Sequence, residues 1–226
     1  CHSDGSGVCY STRLRPILNM RPKYRHWLSP SLWQLNADLH LTDWLEEKGI
    51  EYDIHTDEDL DREGVDLLNR YQVVLTGSHP EYSSENMLVA YESYQQSGGR
   101  WMYMGANGFY WVSQYHPNNS NIIEVRKGEA GTRAWTANPG EYNNAFDGKY
   151  GGMWRARGRM PTKVCGLTFT AYGFDVSTFY RREPDSSRKE CAWIFKGIKD
   201  NEIIGDFGLV GGGAAGLEID RYDLEF

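Results

Sequence analysis

The stretch VVLTGSHPEYSSE, Val73 to Glu85, begins as a strand and stops abruptly. Val73-Val74-Leu75 is a short apolar run, Thr76-Gly77-Ser78 breaks it, and His79, Pro80 and Glu81 follow. An unbroken apolar run bounded by turn residues predicts a strand buried on both faces, as in a parallel sheet. Its flanks read as helices. Downstream, Ser84 to Gln96 carries Leu88, Tyr91 and Tyr94 at helical spacing and stops at Gly98-Gly99. Upstream, Asp57 to Arg70 puts Leu60, Leu67 and Leu68 on one side, with Gly64 a weak point.

Further out the alternation continues. Ser29-Pro30-Ser31 has the serine cap and early proline of a helix start, with Leu32, Leu35, Leu39 and Thr42 on one face and Gly49 at the end. Ile50 to Ile54 (IEYDI) alternates like a strand, and Arg100 to Met104 is another, ending in Gly105-Ala106-Asn107-Gly108. Strands and helices in turn, with short joints, predict an α/β fold with a doubly wound parallel sheet over residues 29–121. Residues 1–28 read as an irregular lead-in. Residues 122–226 change texture: KVCGLTFTAYGF, CAWIF and IIGDFGLVGGGAAGLEI are rich in Gly, aromatic and β-branched residues, so a β-rich portion packed on the core is expected.

Charge and composition narrow the partners. A formal charge of −7 over 226 residues argues against nucleic acid or an anionic membrane surface. The basic run Arg13 to His26 reads as a solvated face or a docking surface for another chain rather than a phosphate site. No apolar run approaches the ~20 residues of a membrane-spanning helix, and no signal peptide is apparent. Cys1, Cys9, Cys165 and Cys191 lack CxxC spacing, which fits a reducing, cytoplasmic compartment, with two disulfides as the alternative. The chain opens on Cys1 without methionine, so a piece of a longer protein is expected.

Ligands of open α/β sheets bind beyond the carboxyl ends of the strands. Two such ends are legible here. At the first, Pro80 disfavours helical geometry at His79. His79 and Glu81, two apart in an extended segment, then project to one side. The alternative places Glu81 at the positive end of the following helix. The second end, Gly105 to Gly108, sits where a nucleophile elbow would hold Ser or Cys, but the elbow residue is Asn107. An amide is no nucleophile, so catalysis would use water. Asn107 either donates to a polarised carbonyl or simply accommodates a left-handed backbone. Glu218 lies between apolar neighbours in Leu217-Glu218-Ile219, a pattern that by itself favours the solvent face. The Gly211-Gly212-Gly213 run lacks the Lys-Ser/Thr of a phosphate loop and reads as a close backbone passage.

Five segments in order, SGVCYSTRLRPILNMRPKYR, NADLHLTDWLEEKGIEYDIHTDEDL, VVLTGSHPEY, GANGFYW and DFGLVGGGAAGLEIDR, resemble the large (beta) subunit of N,N-dimethylformamidase. Residues 30–115 also resemble the class I glutamine amidotransferase-like fold, whose elbow holds cysteine where this chain has Asn107. The first resemblance implies hydrolysis of N-substituted formamides to amine and formate at a mononuclear, ferric iron held by two tyrosines and one glutamate. Glu81 matches the carboxylate ligand, His79 the adjacent catalytic histidine, Asn107 the substrate-side amide and Glu218 an acid/base partner. Tyr10 of GVCY is the ligand candidate within this chain, with one or both tyrosines expected before Cys1. The resemblance also implies a small amide substrate, a small partner subunit and a homo-oligomer. A non-catalytic amidotransferase-like module that binds a ligand or scaffolds an assembly is the rival expectation. Phe109, Tyr110 and Trp111 are candidate pocket walls, with core packing the alternative.

Overall fold

The computed structural model describes residues 2–25, 32–128, 130–131, 133–207 and 212–222. In chain order the elements are β1 (Tyr10–Thr12), α1 (Leu35–Lys48), α2 (Asp57–Glu63), α3 (Val65–Leu68), β2 (Val73–Leu75), β3 (Tyr82–Ser83) and α4 (Glu85–Gln96). There follow β4 (Arg100–Met102), β5 (Trp111–Val112), β6 (Gln114–His116), β7 (Asn119–Glu124), α5 (Pro161–Cys165), β8 (Leu167–Thr178) and β9 (Ala215–Tyr222).

Parallel pairing among the described residues occurs in two ribbons, β2 with β4 (Val73 opposite Arg100) and β3 with β5 (Tyr82 opposite Trp111). Antiparallel pairing builds the three-stranded β1-β7-β6 sheet and the β8–β9 ribbon. Helix α4 leads from the first parallel ribbon's β2 back to β4, and its Met87, Leu88, Tyr91 and Tyr94 are buried. They pack with Leu60, Leu67, Leu68, Phe109, Val112, Trp154 and Val164 into one core. Ser84 caps α4, its hydroxyl accepting from Met87 N at 3.2 Å.

Several local expectations change on contact with the tertiary structure. The helix expected over Asp57 to Arg70 is two helices, because Gly64 takes φ 61° and ψ −142° between α2 and α3. IEYDI forms no strand. Ile50 and Ile54 are 46% and 69% exposed, and Tyr52 reaches back to Glu46 instead of pairing with a neighbour. β2 is not covered on both faces. Val74 and Trp101 join the core, while Val73 and Met102, on the alternate face, stay half exposed. In the C-terminal portion Lys163 to Cys165 lie in α5, and residues 191–195 run through hydrogen-bonded turns rather than strand. The helix start expected at Ser29-Pro30-Ser31 lies outside the described residues.

The basic lead-in is partly docked on its own chain, Arg13 pairing with Glu58 at 2.7 Å and with Asn121 at 2.6 Å. Of the glycine run, Gly211 is outside the described residues. Gly213 passes so close to Thr178 that a Cβ would lie 1.9 Å from its carbonyl oxygen, the close passage the run implied. No described helix is long and apolar enough to cross a membrane.

Candidate active site

The two strand ends are laced together before any functional group enters. Thr76 N donates to Met102 O at 3.0 Å, and Met104 N donates to the Thr76 hydroxyl at 2.9 Å. Asp38, from α1, accepts from both the amide and the hydroxyl of Ser78 at 2.6 Å. Gly105 then slides under the loop. A Cβ there would stand 2.3 Å from Ser78 O, so only glycine fits.

His79 and Glu81 do project together, through a tighter path than the extended one expected. Glu81 N donates to His79 O at 2.8 Å, a three-residue turn centred on Pro80, whose fixed φ suits it. His79 Nε2 lies 3.3 Å from Glu81 Oε2 and 3.2 Å from Glu218 Oε2. Glu81 is not a helix-end charge: its other oxygen accepts from the indole N–H of the fully buried Trp111 at 2.9 Å. The Trp33 ring meets the His79 ring edge-on, 5.6 Å between centroids.

Asn107 takes the left-handed φ of 59°, and its side chain also works: Nδ2 donates to Glu218 Oε1 at 3.2 Å. Its Oδ1 is buried with no hydrogen-bond partner among the described residues. Glu218 corrects the solvent-face expectation. In β9 it is Ile219 that stands 45% exposed, so Glu218 faces inward, with only 11% of its side chain accessible. His79, Glu81, Asn107 and Glu218, spread over 139 positions of chain, therefore share one cluster.

Electrostatics inside this cluster are tight. Burial works against a charged His79, but the Glu81 hydrogen bond and the charges of Glu218, Glu81 and Asp220 outweigh it and raise its pKa. Burial raises the Glu218 carboxyl, and His79 pulls it back only in part. The imidazole thus lies within 3.3 Å of two carboxylates, and perturbed groups gathered in this way mark a candidate functional site.

One member was not legible in sequence. Lys127, 7% exposed, lies beyond β7 with its ammonium 4.7 Å from the Trp111 ring centre and 5.1 Å from that of Tyr82. Burial lowers its pKa, while the charges of Glu81 and Glu218 act in the opposite direction. The VRKGEA context carries no motif that distinguishes it from a surface lysine. Phe109, Tyr110 and Trp111 are all buried, the first in the main core and the other two with Met153.

Tyr10 lies elsewhere in the contact network. Its hydroxyl accepts from Arg126 at 2.7 Å and its ring packs on Phe146. No described hydrogen bond or ring contact links it to Glu81, His79 or Glu218. As a metal shell, the described residues are incomplete. Glu81 offers one carboxylate, and Tyr103 gives its hydroxyl to Asp220. No group of three His, Cys, Asp or Glu side chains placed to hold a metal occurs among them.

Comparison with known proteins agrees along the whole chain. Residues 1–226 match the family model described as "N,N-dimethylformamidase beta subunit-like, C-terminal". The N,N-dimethylformamidase beta subunit of Paracoccus aminophilus is 52% identical over 223 residues, covering 99% of this chain and 29% of that protein. The beta subunit of the same name from an Alcaligenes species is 51% identical with the same coverage. The chain therefore spans less than a third of the length of these relatives.

Proposed function

The chain belongs to the N,N-dimethylformamidase beta subunit-like family, and on that premise we propose that it carries the proton-handling side of an amide-hydrolase site. The observation that supports this best is His79 Nε2 set between Glu218 at 3.2 Å and Glu81 at 3.3 Å, with Asn107 fastened to Glu218. The reaction adds water across an N-substituted formamide, breaking the C–N bond to release amine and formic acid. The His79–Glu218 pair takes the proton from the attacking water and delivers it to the departing nitrogen. Asn107 holds Glu218 and keeps a second side-chain N–H for the substrate oxygen. Lys127, desolvated against aromatic rings, offers positive charge for the anion that develops at the carbonyl.

Iron enters the proposal through Glu81, a hard oxygen donor suited to a ferric ion. The remaining ligands have to come from outside the described residues, and no step above depends on them. The relatives' beta-subunit names support assembly with another kind of chain. The β2–α4–β4 crossover supports an α/β core as part of the same proposal, and the doubly wound, amidotransferase-like arrangement rests on the sequence resemblance alone. The rival scaffold reading predicts no hydrolysis at all.

His79→Gln in the full-length enzyme tests the reading. Formate release from dimethylformamide should fall ~10²–10⁴-fold, with iron content and thermal unfolding unchanged. A variant turning over at near the parent rate would remove His79, and the proposal with it.

A further inference from the structure

Resting on the reading above, we propose that Asp220 and Tyr103 are positioning residues that hold Asn107, and through it Glu218, in register with His79. β9 sets the geometry. Residues two apart in a strand share a face, so with Ile219 exposed, Asp220 follows Glu218 inward. Glu218 takes the Asn107 side chain and Asp220 takes its backbone, Asn107 N donating to Asp220 Oδ1 at 2.8 Å. The other oxygen of Asp220 accepts from the Tyr103 hydroxyl at 2.7 Å. That hydroxyl in turn accepts from Gly108 N at 2.7 Å.

Two successive amides of the Asn107–Gly108 turn are thus bound by side chains from β9 and from the end of β4. Gly108 permits this, since a Cβ there would lie 2.6 Å from the Tyr103 ring. In an elbow of the hydrolase type such amides would face substrate as an oxyanion hole. Here they are committed to Tyr103 and Asp220, so the turn presents the Asn107 side chain instead of its backbone. Asn107 holds φ 59°, a left-handed backbone that asparagine tolerates, and the clamp fixes the turn in it.

The test is a double-mutant cycle in the full-length enzyme, with Asn107→Gly chosen because glycine keeps the left-handed turn and the backbone N–H. Asp220→Ala should lower kcat about 100-fold and Tyr103→Phe about tenfold, each with KM within about twofold. Asp220→Asn, whose side-chain oxygen still accepts from Asn107 N, should recover much of the Asp220→Ala loss. In the Asn107→Gly background, Asp220→Ala and Tyr103→Phe should cost nothing further, which supports action through Asn107. Equal losses in both backgrounds would overturn the inference, as would parent-like kcat for Tyr103→Phe and Asp220→Ala alongside a disabled Asn107→Gly. Should Asp220→Ala not fold, the Tyr103→Phe arm decides on the same criteria. An Asn107→Gly enzyme with parent activity would instead remove the catalytic reading and this inference together.

Discussion

Replacing Gly105 by alanine tests how strictly the two strand ends must be laced. The added Cβ would sit 2.3 Å from Ser78 O, 2.6 Å from Ser78 C and 3.0 Å from Pro80 Cδ. Real Cβ contacts essentially never fall below 3.0 Å, so at least 0.7 Å of separation has to be found. Ser78 cannot easily retreat, because Asp38 holds its amide and hydroxyl at 2.6 Å. The displacement passes either to His79 and Glu81 or to the turn bearing Asn107. A shift of that size on one partner stretches the His79–Glu218 contact from 3.2 Å to about 3.9 Å, too long for direct proton transfer. Misplacement on the order of 1 Å costs about 100-fold in rate, and overpacking adds roughly 1–3 kcal/mol of destabilisation. The assay is formate release by the full-length enzyme at saturating dimethylformamide, with thermal unfolding in parallel. Gly77→Ala is the milder comparison, since its Cβ would lie 3.1 Å from the Asp38 carboxylate and asks for a few tenths of an ångström where Gly105→Ala asks for 0.7 Å. Its rate loss should stay below about tenfold. A folded Gly105→Ala enzyme within threefold of the parent kcat would refute the reasoning.

Glu218→Gln should keep the Asn107 contact yet lower kcat by ~10²-fold or more, read as formate release, because an amide cannot accept the proton. Lys127→Met fills the same aromatic cage without charge. It should unfold no earlier than the parent while kcat falls about 100-fold, and an unchanged kcat would exclude Lys127 from the chemistry. Trp111→Phe strips Glu81 of its indole donor and should lower denaturant stability by about 1–3 kcal/mol, measured by urea titration. Burial pushes the Cys165 thiol up to about 11. Only about one part in a thousand is thiolate at pH 8, and native enzyme should leave Cys165 unalkylated in peptide mapping until urea is added.

Local signals account for much of what was legible. Ser84 and the periodic Leu88, Tyr91 and Tyr94 located α4, and its structure follows them closely, because a capped amphipathic helix is specified within a dozen residues. IEYDI misled for the converse reason: alternation marks a strand only when a neighbouring strand pairs with it, and no described strand does. Pro80 placed His79 and Glu81 on one side, although the turn it forms is tighter than an extended segment.

From sequence alone came the residue types at the strand ends, the missing nucleophile at Asn107 and the helices around the core. Only tertiary structure decided that Glu218 turns inward, that Asp220 and Tyr103 grip the Asn107 turn, and that Lys127 is buried. Each of these depends on partners more than 100 positions away or on an aromatic cage, except the Tyr103–Gly108 bond five residues apart. The face a strand residue presents is set by which surface packs against it, and that surface is assembled only when the chain folds.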